Sequence, residues 1–188
     1  MNNAYMFDRI KKRKFNIPPG RAPGEADAFV MDDTQISEVD NAAFERFMGL
    51  LKEYSDNPKR KNVKELSDFL KENHILKLID RTSEEIHFFD RQIDLIKLLD
   101  FAYDRAINSK DINIVKLGIS LLGMMNLAGR DDCKKAIMAL GENEEFTLYS
   151  LYAISEWDDA VEIAQKYANT LKGWGKTYAE TWLEPEVY

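Results

Sequence analysis

The chain has 188 residues, enough for one domain with a sizeable core and short for two. Its 45% apolar and 11% aromatic content excludes a disordered polymer, and no uninterrupted apolar run approaches the length of a membrane-crossing helix. Net charge is −7 and uneven: six basic groups (Arg9, Lys11, Lys12, Arg13, Lys14, Arg21) against Asp8 give the first 24 residues +5, which leaves −12 on the other 164.

An acidic body repels phosphate, which counts against a duplex-binding surface over most of the protein. The single cysteine, Cys133, excludes an intrachain disulfide framework. The opening MNNAYMFDRIKKRKF has no apolar core after its basic residues, unlike a secretory signal, so a cytoplasmic location is the expectation. Residues 1–40 read as a basic arm and a linker. Asn16 to Gly24 alone holds three of the five prolines and two of the nine glycines, a composition that breaks helices. The arm could fold back on the acidic body, meet an acidic partner, or stay solvated.

Residues 41–188 read as one helical domain. Ser37 or Asp40 can cap a helix burying Phe44, Phe47, Met48, Leu51 and Tyr54, which Asn57-Pro58 ends. Asn62 can cap the next, with Val63, Leu66, Phe69 and Leu70 inward. Ser83 to Ile107 carries a stripe of Ile86, Phe89, Ile93, Ile96, Leu99, Tyr103 and Ala106, with a weak point at Asp90-Arg91-Gln92. Asp111 caps Ile112 to Met125, apolar nearly all round and therefore central. Asp131 to Leu140 buries Cys133, Ala136, Ile137 and Leu140. Strand signals are absent.

The closing segment, Ser155 to Glu184, reads as a helix, a Gly-Trp-Gly break and a second short helix. Trp157, Ala160, Val161, Ala164, Tyr167, Ala168 and Leu171 form its stripe. Ser155 is the expected N-cap, with Asp158 and Asp159 in the first turn and Lys172 at the far end. Gly173 suits a left-handed position, Gly175 a second reversal, and Lys176 to Leu183 a helix stopped by Pro185. Ile114–Leu122 and Phe146–Ile154 are weakly self-similar, each followed by an Asp-Asp pair and a helix ending at Gly141 or Gly173. That is the plan of stacked helix pairs.

The run WDDAVEIAQKYANTLKGWGKTYAETWLEP resembles the C-terminal part of uncharacterised bacterial HEAT-like helical-repeat proteins. This chain has Tyr178 and Thr181 where their short helix usually has His and Arg. The resemblance implies an all-α fold, an α-α superhelix of the HEAT or ARM type in a single domain, used for binding. It implies no particular activity.

Residues able to carry chemistry are few. Glu84-x-x-His87 is one half of a di-metal motif whose second copy is missing, because His74 follows Lys71 rather than an acid. Cys133 lies on an apolar stripe, as a structural thiol would. No phosphate loop, zinc cluster or nucleophile elbow occurs, so no catalytic, cofactor or metal residue is expected, and the protein reads as a non-enzyme. Trp157 is expected in the core, and Trp174 as a staple between the last two helices or a binding anchor. Three acidic clusters lie near helix starts: Asp131-Asp132, Glu142-Glu144-Glu145 and Glu156-Asp158-Asp159. Brought together, they would make a rim for a basic protein partner, as in an immunity or inhibitor protein that blocks a basic toxin. The alternatives are a nucleic-acid-binding or base-excising protein acting through Lys11, Lys12, Arg13 and Lys14, or a scaffold subunit.

Overall fold

A computed structural model describes Ile10, Phe15 and residues 20–32, 39–57, 60–88 and 93–184. The arm positions Lys11, Lys12, Arg13 and Lys14, together with Ser37, Pro58, Phe89, Asp90-Arg91-Gln92 and Pro185, lie outside the described residues. The described chain is all-helical, with no strand among those residues. In order come α1 (Glu25–Asp32), α2 (Asn41–Asp56), α3 (Arg60–Glu72), a 3-10 turn (Ile75–Lys77), α4 (Ile79–Phe88), α5 (Leu95–Asn108), α6 (Ile112–Gly123), α7 (Asp131–Gly141), α8 (Thr147–Ile154), α9 (Ala160–Thr170) and α10 (Gly173–Leu183).

Local signals place several of these elements as expected. The Asp40 carboxylate accepts from the Ala43 amide at 2.8 Å and starts α2, whose Phe44, Phe47, Met48, Leu51 and Tyr54 are all buried. Asp111 accepts from Asn113 and Ile114 at 3.0 and 3.3 Å and starts α6, in which every residue from Ile114 to Leu122 is buried. Cys133, Ala136, Ile137 and Leu140 are buried on α7, where burial pushes the Cys133 thiol up to about 11.

Helices fall into sequential pairs, α2 with α3, α5 with α6, α7 with α8, and α9 with α10. First members also touch one another (α2 with α5, α5 with α7), and so do second members (α3 with α6, α6 with α8, α8 with α10). The result is two layers with α6 and α8 at the centre. Small residues allow the tightest of these contacts. A Cβ on Gly118 of α6 would lie 2.8 Å from both the Ala102 oxygen and the Ala106 nitrogen of α5.

Other expectations need correction. The expected linker contains α1, whose Asp27 is fully buried. Ile10 is buried too, and the Phe15 ring meets Phe146 edge-on at 4.7 Å. These parts of 1–40 pack on the body because their few apolar and acidic side chains find partners there. Asn62 lies inside α3 rather than capping it, since α3 starts three residues after Asn57 closes α2. The 83–107 pattern is two helices, as its weak point allows, with Asp94 capping α5 through Ile96 and Lys97; only the stripe drawn across both needs correcting. A break resets the helical register, so Ile96 is 75% exposed and α5 buries Leu98, Phe101, Ala102 and Ala106 instead.

In the closing segment, Ser155 ends α8 rather than starting α9: its hydroxyl donates to the Tyr152 oxygen at 3.0 Å. The Trp157 amide bonds the Ile154 oxygen at 2.8 Å, and this tight turn keeps residues 155–159 out of α9. Asp158 and Asp159 therefore precede that helix, Val161 is 55% exposed, and Ile163 takes its place inside. Trp157 is half-buried against the core. Gly173 has φ +52°, but Gly-Trp-Gly forms the first turn of α10 and is no break before it. Gly175 is buried there, too close to Thr147 and Glu144 for a Cβ.

Candidate functional site

The residues that converge most tightly are not those with an obvious motif. Lys116 is the one charged side chain in the apolar run Ile112 to Gly123, and helical geometry carries it inward, where it is 3% exposed. A buried ammonium needs partners. Its Nζ lies 3.0 and 2.8 Å from the two Asp27 carboxylate oxygens and 2.6 Å from Glu145 Oε1. The Tyr149 hydroxyl donates to Asp27 at 2.8 Å, and His74 Nε2 lies 3.2 Å from the same oxygen. His74 Nδ1 accepts from the Leu76 amide at 3.3 Å, so the ring proton sits on Nε2 and points at Asp27.

The turn before α1 completes this clasp. The Gly24 amide donates to Glu145 Oε2 at 2.8 Å, and its oxygen accepts from the Tyr178 hydroxyl at 2.7 Å. Gly24 has φ +80°, and a Cβ there would come within 2.8 Å of the Glu144 oxygen. Only glycine fits both constraints. Three elements (the turn before α4, α6 and α8) thus meet on one buried carboxylate of α1, and α10 joins the clasp through the Gly24 oxygen.

Burial raises the Asp27 carboxyl, but hydrogen bonds from His74, Lys116 and Tyr149 and the Lys116 charge outweigh it, so it lies below its ordinary value. Burial and the neighbouring Asp27 push the Tyr149 and Tyr178 phenols up. A carboxyl depressed on folding stabilises the fold above its unfolded pKa, and that stability is lost as pH falls through the lower, folded value. In acid titrations of denaturant stability, wild type is expected to lose stability below about pH 4 more steeply than Asp27→Asn. Parallel curves would contradict this.

Each ionised group of the clasp is spent on another, and His74 has neither a free lone pair nor a free proton. The cluster holds α1 in place and offers no nucleophile or general base. α1 instead forms a wall of two concavities. On one side lies a polar cleft of about 540 Å³, reached by Arg21, Lys71, His74, Asp111 and Asn113. On the other lies an apolar groove of about 420 Å³ between α1, α8 and α10, lined by Met31, Leu148, Tyr152, Trp174, Tyr178 and Trp182. Met31 and Tyr152 of its lining are 43 and 51% exposed, large apolar side chains left in solvent, and Phe29 on α1 is 67% exposed. Burial and the charge of Asp80 raise the Tyr152 phenol.

The acidic clusters expected to share a rim lie on two opposite edges. Lys134 sits 5.4 Å above the Trp157 ring, so the start of α7, with Asp131 and Asp132, lies beside the turn carrying Glu156, Asp158 and Asp159. Glu142 pairs with Lys166 at 2.8 Å and Tyr167 donates to the Met138 oxygen, so the other end of α7 faces the second half of α9. The eleven residues of α7 keep the two sets roughly 16 Å apart. Glu145 is no surface residue at all: Lys116 and Gly24 consume it. Asp132 pairs with Arg130 at 3.0 Å, while Asp131, Glu156, Asp158 and Asp159 are exposed. Trp174, expected as a staple or a binding anchor, is half-buried in the groove, 6.1 Å from the Tyr178 ring and against Gly24.

His87 is exposed on α4, with Nδ1 2.8 Å from the Ser83 oxygen. Among the described residues no three His, Cys, Asp or Glu side chains are placed to hold a metal ion, and no helix is long and apolar enough to cross a membrane. Asp27, His74, Tyr149, Met31, Tyr152 and Trp182 carry no motif. The one sequence signal for the clasp is a lysine alone in the most apolar helix. The chain matches no protein-family model, no curated protein and no solved structure.

Proposed function

We propose that the protein is a non-enzymatic binding module of the HEAT-like type, and that the groove between α1, α8 and α10 takes an apolar segment of a basic protein partner. The observation that carries this reading is the groove itself: a concavity of about 420 Å³ walled by Trp174, Tyr178 and Trp182, with exposed Met31 and Tyr152 in its lining. Aromatic side chains in a partly desolvated hollow are the usual anchors of protein interfaces. The charge of Asp80 acts on Tyr152 in its lining, and the −12 carried outside the first 24 residues puts the groove in a negative field. Exposed Asp131, Glu156, Asp158 and Asp159 then steer a basic partner from a distant edge rather than forming the seat. The layering of helix pairs supports a stacked, HEAT-like architecture, and the spent charges of the clasp support a non-catalytic role. An inhibitor of a basic toxin and a scaffold subunit are both forms of this reading.

The test uses a synthetic Leu/Lys amphipathic peptide of roughly eighteen residues, long enough to hold a helix, and its Leu/Glu counterpart. Titration is followed by the fluorescence of Trp174 and Trp182. The Lys peptide is expected to bind and the Glu peptide not to. Thr177→Arg, an exposed change on the groove wall, is expected to weaken binding at least tenfold, about 1.4 kcal/mol. Equal binding of both peptides, or an unaffected Thr177→Arg protein, would overturn the proposal.

A further inference from the structure

α1 has an inverted pattern. A short helix on a protein surface ordinarily buries its apolar side chains and exposes its acids. α1 buries Asp27 completely and leaves Phe29 and Met31 67 and 43% exposed. Its described hydrogen bonds to the body are polar and few: Lys116, Tyr149 and His74 to Asp27, Glu145 from the Gly24 amide, and Tyr178 to the Gly24 oxygen. Such a seat differs in kind from an apolar one. Attraction between buried charges roughly offsets their desolvation while the set is complete, and removing one member leaves a buried charge without compensation. Its stability therefore hinges on one constellation rather than on many interchangeable contacts.

α1 also stands between the two concavities. Ala26 and the preceding Arg21 and Ala22 face the polar cleft, whereas Ala28 and Met31 face the groove. Resting on the groove reading above, we infer that α1 is a latch: seating Asp27 among Lys116, His74 and Tyr149 brings Ala28 and Met31 into the groove wall, so that the binding surface is complete only while the latch is closed. The body beneath does not depend on it. α5, α6, α7 and α8 bury their own apolar faces against one another, and α1 adds a wall rather than a layer. Opening is thus a local event that leaves the core intact. The device is an element with two positions, and any ligand that prefers the complete groove holds it shut.

The experiment is amide hydrogen exchange on the full chain, run beside the Leu/Lys peptide titration. Three proteins are compared: wild type, Asp27→Asn, and the triple variant Asp27→Leu, Lys116→Met, Glu145→Gln, in which an apolar seat replaces the charged one. In wild type the amides of Ala28 to Met31 are expected to open at lower free energy than those of α6. In Asp27→Asn they are expected to exchange at least tenfold faster, still opening before α6, and peptide affinity to fall at least tenfold. In the triple variant both are expected to return to within about threefold of wild type, because Asp27 acts by holding α1 and not by touching the peptide. Unchanged α1 exchange in Asp27→Asn overturns the latch. So does protection of α1 equal to that of α6 in wild type, which would mean that α1 opens only with the global core. Faster α1 exchange with unchanged affinity also overturns it and leaves the groove reading standing. If wild type fails to bind the peptide while α1 opens before α6 and exchanges faster in Asp27→Asn, the groove reading has failed and the local opening of α1 has not.

Discussion

Lys116→Met is expected to cost about 3–5 kcal/mol of folding stability, the range for removing one partner of a buried ion pair. Methionine fills the volume of the lysine stem, so the loss does not come from a cavity. It comes from Asp27 and Glu145, which share a single ammonium, at 2.8 and 2.6 Å, in a site where Asp27 is fully buried and Glu145 nearly so. Remove that cation and two carboxylates face each other in a poorly solvating medium. Tyr149, His74 and the Gly24 amide can still donate, but none carries a fixed positive charge. Urea denaturation of the full chain measures the loss. The triple variant with Asp27→Leu and Glu145→Gln is expected to recover most of it, since no unpaired charge remains. A Lys116→Met loss below about 1 kcal/mol would mean that the clasp carries no net electrostatic weight.

Gly118→Ala is expected to destabilise by about 1–3 kcal/mol or more, against the intrinsic helix preference, which favours alanine by roughly 1 kcal/mol. The new methyl would meet the Ala102 oxygen and the Ala106 nitrogen of α5, both at 2.8 Å. These are backbone atoms, and relief requires moving a helix rather than a side chain. Gly49, on the exposed face of α2, has nothing within 4 Å of its added Cβ, so Gly49→Ala is expected to stabilise the same protein slightly. Thermal melts of the two variants should therefore shift in opposite directions. Shifts of the same sign would contradict the close crossing of α5 and α6.

What could be read from the sequence follows from how local each signal is. The α2 stripe, the Asp40 and Asp111 caps and the all-apolar centre of α6 depend on spacing within one helix, and they stand where spacing puts them. Ile96 and Val161 were misplaced because a stripe was carried through a turn, and a turn of unstated length resets which side faces in. α1 was hidden more deeply. Its composition is that of a linker, and its reason for folding lies in Lys116, 89 positions along the chain from Asp27. No local pattern announces such a pairing, although a lone lysine in INIVKLGISLLG does announce that some acid must come to it. The acidic clusters show the same limit in reverse: a sequence gives their charge, but the length and direction of α7 decide which edge each one occupies.

These observations shift attention from the acidic edges to the groove beside α1. In the proposed reading, charge selects the partner's class, through a body that is negative outside its first 24 residues. Contact would rest on Trp174, Tyr178, Trp182 and Tyr152 of the groove, and Asp27 would act only by holding α1. The most direct test is the hydrogen-exchange footprint of the wild-type chain with and without saturating Leu/Lys peptide. Protection is expected in α1, α8 and α10, strongest in Ala28 to Met31, with the 155–159 turn and the first turn of α7 unchanged. Protection centred on Asp131, Glu156, Asp158 and Asp159, or none in α1, would contradict the account.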